Sequence, residues 1–456
     1  MASIPNKTSG RESQLEGEKK MVKGLKRAAL AVTAASVLAL SACGGAGSTG
    51  SPGAEGSATG EAGGGTLEVF SWWTSGSEAA ALKVLEDAFT TAAPGVTYKN
   101  SAVSGGGGSN ARTVLSTRLQ GGDPPDSWQL HPDQDLFAVV EDGSAADITD
   151  LYQANGWEAK LPDMVKNMLQ KDGKYYAVPV NAHRANVLWT NPDALKKAGV
   201  SLSETSSITD LVAALPKIKD AGVAPVCLGA KDPFAPAQLL EVIIMANVGA
   251  DGYNQLVTGQ LPFDDPKVRT AVEQFKTVLE NVNNDSAVLT WDQAALNTAD
   301  GKCATNLMGD WAYGELTNKG KKDGTDFSHV TFPGTGEIFD FVGDAFVIPA
   351  ENAPNPEAEK IWLTQLLDPK VQSEFNLEKG SAPVIKDASL DGYPDYQKKA
   401  AEAFQTKTIV SSLAHAQSAP AEFATTYSDA VTSFLGSKNV DAFLKTMTEA
   451  QKNQLG

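Results

Sequence analysis

The chain has 456 residues, 42% of them apolar and 20% charged, with a formal net charge of −17 at pH 7. That length supports about two domains with substantial cores. An acidic balance without clustered Lys and Arg argues against nucleic acid as a partner, and three Cys and four His scattered along the chain give no metal-ligand spacing.

Residues 1–20 are polar and carry no apolar period. From Met21 the character changes: Lys23, Lys26 and Arg27 precede an apolar run over 28–40, which ends in Ser41-Ala42-Cys43. A basic segment, a short apolar run and a small-residue cleavage site describe a secretory signal, and the run is too short to span a bilayer. Met21 is therefore the expected translation start, the other reading being a long basic region that begins at Met1. Leu40-Ser41-Ala42-Cys43 resembles the lipobox of bacterial lipoproteins. That resemblance implies acylation of Cys43 and cleavage just before it; two or more acyl chains would anchor the protein stably. The alternative is an unmodified thiol. Residues 44–65, rich in Gly and Ser, have the composition of a flexible tether. Export leaves Cys227 and Cys303 in an oxidising compartment, where they form a disulfide or stay as two buried thiols.

The body alternates strands and helices. Leu67, Val69 and Ser71 alternate with Glu68 and Phe70, a strand that runs into Trp72-Trp73. Thr74, Ser75, Gly76 and Ser77 make a turn, Ser75 or Ser77 being able to cap the helix that follows. Leu82, Leu85 and Phe89 give that helix an apolar face, and Pro94-Gly95 ends it. A strand is expected at 96–98, a glycine loop at 104–109 and a helix over 110–119 with Val114, Leu115 and Leu119 inward. A short strand over 127–130 puts Gln129 and His131 on one side. Residues 175–180 read as a strand. Helical periodicity follows over 208–215, 238–247 and 266–279, the last opened by Pro266 and lined by Val268, Val272, Phe275 and Leu279. Trp291 stands between helical segments, and Trp311 closes an apolar run. Residues 341–349 read as one buried strand interrupted by Asp344, costly unless the acid is bonded. Helices are expected over 356–367, 369–377, 420–435 and 440–447.

There is no Gly-x-Ser-x-Gly elbow, no HExxH, no Walker loop and no dinucleotide fingerprint. What recurs is an aromatic beside a short polar group: Trp72-Trp73, Trp128-Gln129-x-His131, Asp310-Trp311. Sugars suit that mixture, since their C–H faces stack on indoles while carboxylates, amides and imidazoles meet their hydroxyls.

With EVFSWWTSGSE, GGDPPDSWQLH, MGDWA, FVGDAF and EKGSAPV in this order, the chain from residue 66 resembles the extracytoplasmic solute-binding proteins of ABC importers, within them the maltose-binding-like cluster and its glucose/mannose type. The resemblance implies an α/β, two-lobed, type II periplasmic-binding-protein fold. One lobe is placed at 66–180 plus 334–380 and the other at 181–333 plus 381–456, closing by a hinge on the sugar. It implies that Trp72 and Trp73 flank the sugar and that Gln129 and His131 form a polar pair. Trp291 and Trp311 would stack from the facing lobe, and Asp344 and Lys379 would bind hydroxyls. His415 would reach in from the C-terminal segment, the competing reading being a solvent-facing His on a helix. Asn110 and Arg112 match family positions without a clear role. No cofactor, metal or catalytic residue is implied. The expected protein is a monomeric, extracytoplasmic, lipid-anchored receptor for glucose, with mannose or galactose as relatives, that serves a membrane permease. The alternatives are a receptor for di- or oligosaccharides, a lipid-anchored glycosidase, for which only Asp344 can be nominated of the two carboxylates needed, and a structural lipoprotein that binds no small molecule.

Overall fold

The computed structural model describes residues 64–74, 76–105 and 108–456. The signal, Cys43, Ser75 and the tether up to residue 63 lie outside the described residues. Among the described residues, no helix is long and apolar enough to cross a membrane. The strands in chain order are β1 (Gly65–Phe70), β2 (Val96–Asn100), β3 (Ser127–Leu130), β4 (Gln170–Lys171), β5 (Lys174–Tyr175), β6 (Val178–Pro179), β7 (His183–Arg184), β8 (Val187–Thr190), β9 (Ala224–Val226), β10 (Cys303–Leu307), β11 (Ser328–Thr331), β12 (Ile338–Val342), β13 (Ala345–Val347) and β14 (Thr408–Ser411).

Among the described residues three larger sheets organise the chain, beside a two-stranded β4-β5 ribbon. A five-stranded sheet runs β2-β1-β3-β13-β6, a four-stranded one β11-β8-β10-β9, and a three-stranded one β14-β12-β7. β1 pairs in parallel with β2 and β3, as a strand–helix–strand order favours, whereas β13 enters antiparallel, Phe346 opposite Gln129. Two large apolar clusters result. One gathers Trp73, Phe89, Trp128, Phe346 and Trp362; the other gathers Trp189, Phe263, Phe275, Trp311 and Tyr427. Buried indoles keep their N–H groups bonded where a partner is near: Trp189 Nε1 donates to Met308 O at 2.9 Å and Trp362 Nε1 to Ser127 Oγ at 3.1 Å.

The helices follow their local signals. Helix Gly76–Ala92 buries Leu82, Leu85 and Phe89. In helix Pro266–Leu279 the Asp265 side chain caps Lys267 N–H at 2.8 Å, and Val268, Val272, Phe275 and Leu279 all face inward. Helix Ser109–Gln120 turns only Ala111 and Leu115 into the core, leaving Val114 41% exposed. The helix expected from residue 238 starts at Phe234 and breaks at Gly249, whose φ of 72° suits glycine.

Two strand readings are corrected. Residues 175–180 hold the end of β5 and all of β6, short strands in different sheets, β5 pairing with β4. Residues 341–349 also divide: β12 belongs to the three-stranded sheet and β13 to the five-stranded one. Both halves are apolar because both are buried, so hydropathy does not mark the crossing at Gly343-Asp344. Cys227 and Cys303 are bonded, Sγ–Sγ 2.02 Å and Cα–Cα 5.5 Å, beside the β9–β10 pairing.

Candidate functional site

Two connections pass between the five-stranded and three-stranded sheets, 180–182 after β6 and 343–344 after β12. They lie side by side: Val180 N–H donates to Asp344 O at 2.9 Å, and the Asn181 side chain accepts from Asp344 N–H at 2.8 Å. The same Asn181 donates through Nδ2 to Asp344 Oδ2 at 2.7 Å, while Gln129 Nε2 donates to Asp344 Oδ1 at 2.8 Å. Gln129 also accepts from Trp72 N–H at 3.2 Å. Asp344, 3% exposed, is thus an oriented carboxylate with lone pairs to spare. The cost of burying an acid in an apolar run is met by two amides.

Around it lies a cavity that offers about 70 Å³ to water centres, lined by Trp72, Trp73, Glu78, Gly108, His131, His183, Phe234, Trp311, Val342, Asp344, Lys379 and His415. Aromatic edges close much of the wall. His131 meets Trp72 at 5.2 Å between ring centroids and His415 at 5.8 Å; Trp311 meets His415 at 5.5 Å and His183 at 5.2 Å. Two glycines make room for the indoles. A Cβ on Gly108, at φ 96°, would come within 3.0 Å of the Trp72 ring, and one on Gly309 within 2.2 Å of Trp311. Arg112 lies over the Trp72 ring at 5.3 Å and pairs with Asp135 at 3.0 Å, bracing that indole. Asn110 is turned away, bonded to Ser104 O at 3.1 Å.

The polar groups are fixed from behind. His131 Nδ1 bonds Gly343 O at 2.7 Å. His415 Nδ1 bonds Ser412 Oγ at 2.9 Å, and that hydroxyl donates to Glu241 Oε1 at 2.7 Å. Burial pushes all three cavity imidazoles below the ordinary range, His183 and His415 far below; Arg112 adds to the shift at His131, Lys379 at His183 and His131 at His415. The shifts favour the neutral ring, and each ring has one nitrogen already bonded. Lys379, the last residue of helix Pro369–Lys379, donates to Glu78 Oε1 at 3.0 Å and sits over the Trp73 ring at 5.3 Å. Burial raises the Glu78 pKa, Lys379 opposing it. Among the described residues the wall therefore combines flat apolar faces with acceptors and one ammonium, and shows no nucleophile–base pair.

Of the residues singled out in the sequence, Trp72, Trp73, His131, Trp311, Asp344, Lys379 and His415 meet at this cavity. Gln129 stands one layer behind, on Asp344. Trp291 is not on the wall; it starts helix Trp291–Ala299, where its N–H donates to Asp232 Oδ2 at 2.8 Å. The helix expected around His415 is absent: the residue occupies a turn after β14, 8% exposed. Glu78, His183 and Phe234 were not singled out. Glu78 closes the motif EVFSWWTSGSE and His183 follows a strand end, and those positions were the available signals.

Residues 72–373 match the sequence profile of the bacterial extracellular solute-binding proteins. An uncharacterized ABC transporter extracellular-binding protein of Pyrococcus horikoshii is 34% identical over 85% of this chain and 88% of its own length. A probable sugar-binding periplasmic protein of Rhizobium meliloti is 30% identical over 82% of this chain and 91% of its own. Among solved structures, a chitin oligosaccharide binding protein superposes with a TM-score of 0.75 over 86% of this chain and 98% of its own, at 18% identity. That likeness establishes the shared two-lobed α/β fold.

Proposed function

Since the chain belongs to the bacterial extracellular solute-binding protein family, we propose that it captures a single hexose, glucose first, for the membrane permease of an ABC importer. The observation that carries the monosaccharide reading is the size of the cavity. About 70 Å³ open to water centres, at about 10–15 Å³ per water, holds about five waters, which in the liquid fill about 150 Å³. That is about the space one pyranose fills. The chemistry of the wall agrees: Trp72 and Trp311 offer faces to ring C–H groups, Asp344 accepts from hydroxyls, and Lys379 donates to them.

In this reading Trp73 and Gln129 support the contact residues, and Trp291 lies outside the first layer. Affinity is micromolar or tighter, about −8 kcal/mol or more, and nothing is turned over. Acylated Cys43 and the tether hold the protein as a monomer at the outer face of the cell membrane.

A thermal-shift panel of glucose, mannose, galactose, xylose, maltose and maltotriose on the full chain tests this. Ligand that binds only the folded state raises the midpoint, by an amount equivalent to about 2.7 kcal/mol at a hundredfold excess over Kd. Glucose is expected to give the largest shift. A shift with maltotriose and none with glucose would replace the monosaccharide with an oligosaccharide.

A further inference from the structure

Resting on the sugar-binding reading above, we propose that His183 is a hydroxyl-binding residue of this site, that with Asp344 it reads two adjacent hydroxyls, and that Asp310 positions it. His183 opens β7 opposite Val342 of β12. Its Nδ1 is hydrogen-bonded to Asp310 Oδ1. Asp310 Oδ2 accepts from Arg184 N–H at 2.9 Å, and Asp310 N–H donates to Arg184 O at 3.0 Å. The acid is thereby tied to the strand that carries the imidazole, and Trp311 closes on the ring edge-on at 5.2 Å. The ring has no freedom to turn.

The other ring nitrogen is different. His183 is 1% exposed and Asp310 0%, yet His183 Nε2 has no hydrogen-bond partner among the described residues. Buried polar atoms are rarely left so, and this one belongs to a residue on the cavity wall. We assign the imidazole proton to Nδ1, facing the Asp310 carboxylate, which leaves a lone pair on Nε2. Nε2 lies 3.7 Å from Asp344 Oδ2, beyond hydrogen-bonding distance, and two acceptors cannot bond each other. Nε2 has no donor, and Asp344 Oδ2, which already accepts from Asn181, has a further lone pair to offer. Neighbouring hydroxyls of a pyranose supply two donors side by side. A sugar that lacks the hydroxyl at His183 leaves a buried acceptor unpaired, the situation in which binding sites discriminate most strongly, and one that lacks its neighbour forfeits a charge-assisted hydrogen bond to Asp344.

The test is calorimetry of the full chain with glucose and with its 2-, 3-, 4- and 6-deoxy analogues, on wild type, His183→Ala, His183→Gln and Asp310→Asn. Wild type is expected to lose about tenfold or more in affinity for two analogues deoxygenated at adjacent positions. His183→Ala is expected to bind glucose about tenfold more weakly and to be indifferent to one of those two deoxygenations. His183→Gln, whose amide oxygen replaces the acceptor, recovers part of the loss. In Asp310→Asn the amide can donate to Nδ1 and move the ring proton to Nε2, so the deoxy pattern changes at the His183 position alone, which a merely structural role would not produce. Wild-type affinity in His183→Ala, or deoxy penalties that stay additive with it, overturns the assignment while leaving the sugar reading intact. Should His183→Ala fail to fold, a wild-type deoxy pattern in His183→Gln and Asp310→Asn would overturn it equally. Wild type silent toward every sugar overturns both.

Discussion

Glu241 shows how a single side chain outside the cavity bears on it. It is fully buried in helix Phe234–Val257, lies against Asp340 of β12, and accepts from Ser412 Oγ and from Ala414 N–H at 2.6 Å. Through Ser412 it orients His415. Burial lifts its pKa from 4.5 to about 7, hydrogen bonds from Ser412 and Ala414 opposing the rise. Between those values the unfolded chain has released the proton and the folded chain keeps it. The folded state then binds more protons, and stability falls as pH rises. The contribution is complete below about pH 4.5 and is lost as pH passes through about 7. Gln at this position carries no such dependence. Glu241→Gln should therefore gain on wild type in melting temperature between pH 5 and pH 8; parallel pH curves for the two proteins would contradict a raised pKa at Glu241. At the same scale, Asp344 was legible from sequence because an acid in an apolar run needs partners. Asp310 stood out only as the polar neighbour of Trp311; its pairing with His183 was not legible, because the two meet across 126 intervening residues.

Elements were read best where the signal is local. The apolar faces of helices Gly76–Ala92 and Pro266–Leu279, and the strand that runs into Trp72, follow from periodicity alone. The run at 341–349 was not resolved into two strands, since sheet membership is decided by partners distant in the chain. SLAHAQ reads as helix from its composition, but His415 is held in a turn by Ser412 and Glu241. The Cys227–Cys303 bond acts at the element scale too, tying the chain beyond β9 to β10 across a separation of 76 residues. Closing a loop of that length restricts the unfolded chain, and replacing both cysteines by Ser should cost about 4–5 kcal/mol in denaturant unfolding. Sugar affinity should stay unchanged, as neither cysteine lines the cavity. A double variant as stable as wild type would show that the bond restrains little.

For the whole molecule, the decisive feature is that the cavity draws on both apolar cores and on the connections between their sheets. Trp73 belongs to the first core, with Trp72 packed on it; Trp311 and Phe234 belong to the second; Asp344 lies on one crossing segment and Lys379 beside it. A ligand held there touches every part whose relative position sets the shape of the site, which is how a two-lobed receptor couples capture to closure. The family motifs made this architecture legible, whereas the size of the cavity became visible only once the side chains were placed. The most direct test of the central claim is titration calorimetry of glucose into the full chain and into Asp344→Ala. The account predicts 1:1 binding at micromolar Kd or tighter, weakened roughly 10- to 150-fold in the variant by loss of about 1.5–3 kcal/mol of charge-assisted hydrogen bonding. Equal affinity in the two proteins, or no heat with glucose in wild type, would contradict it.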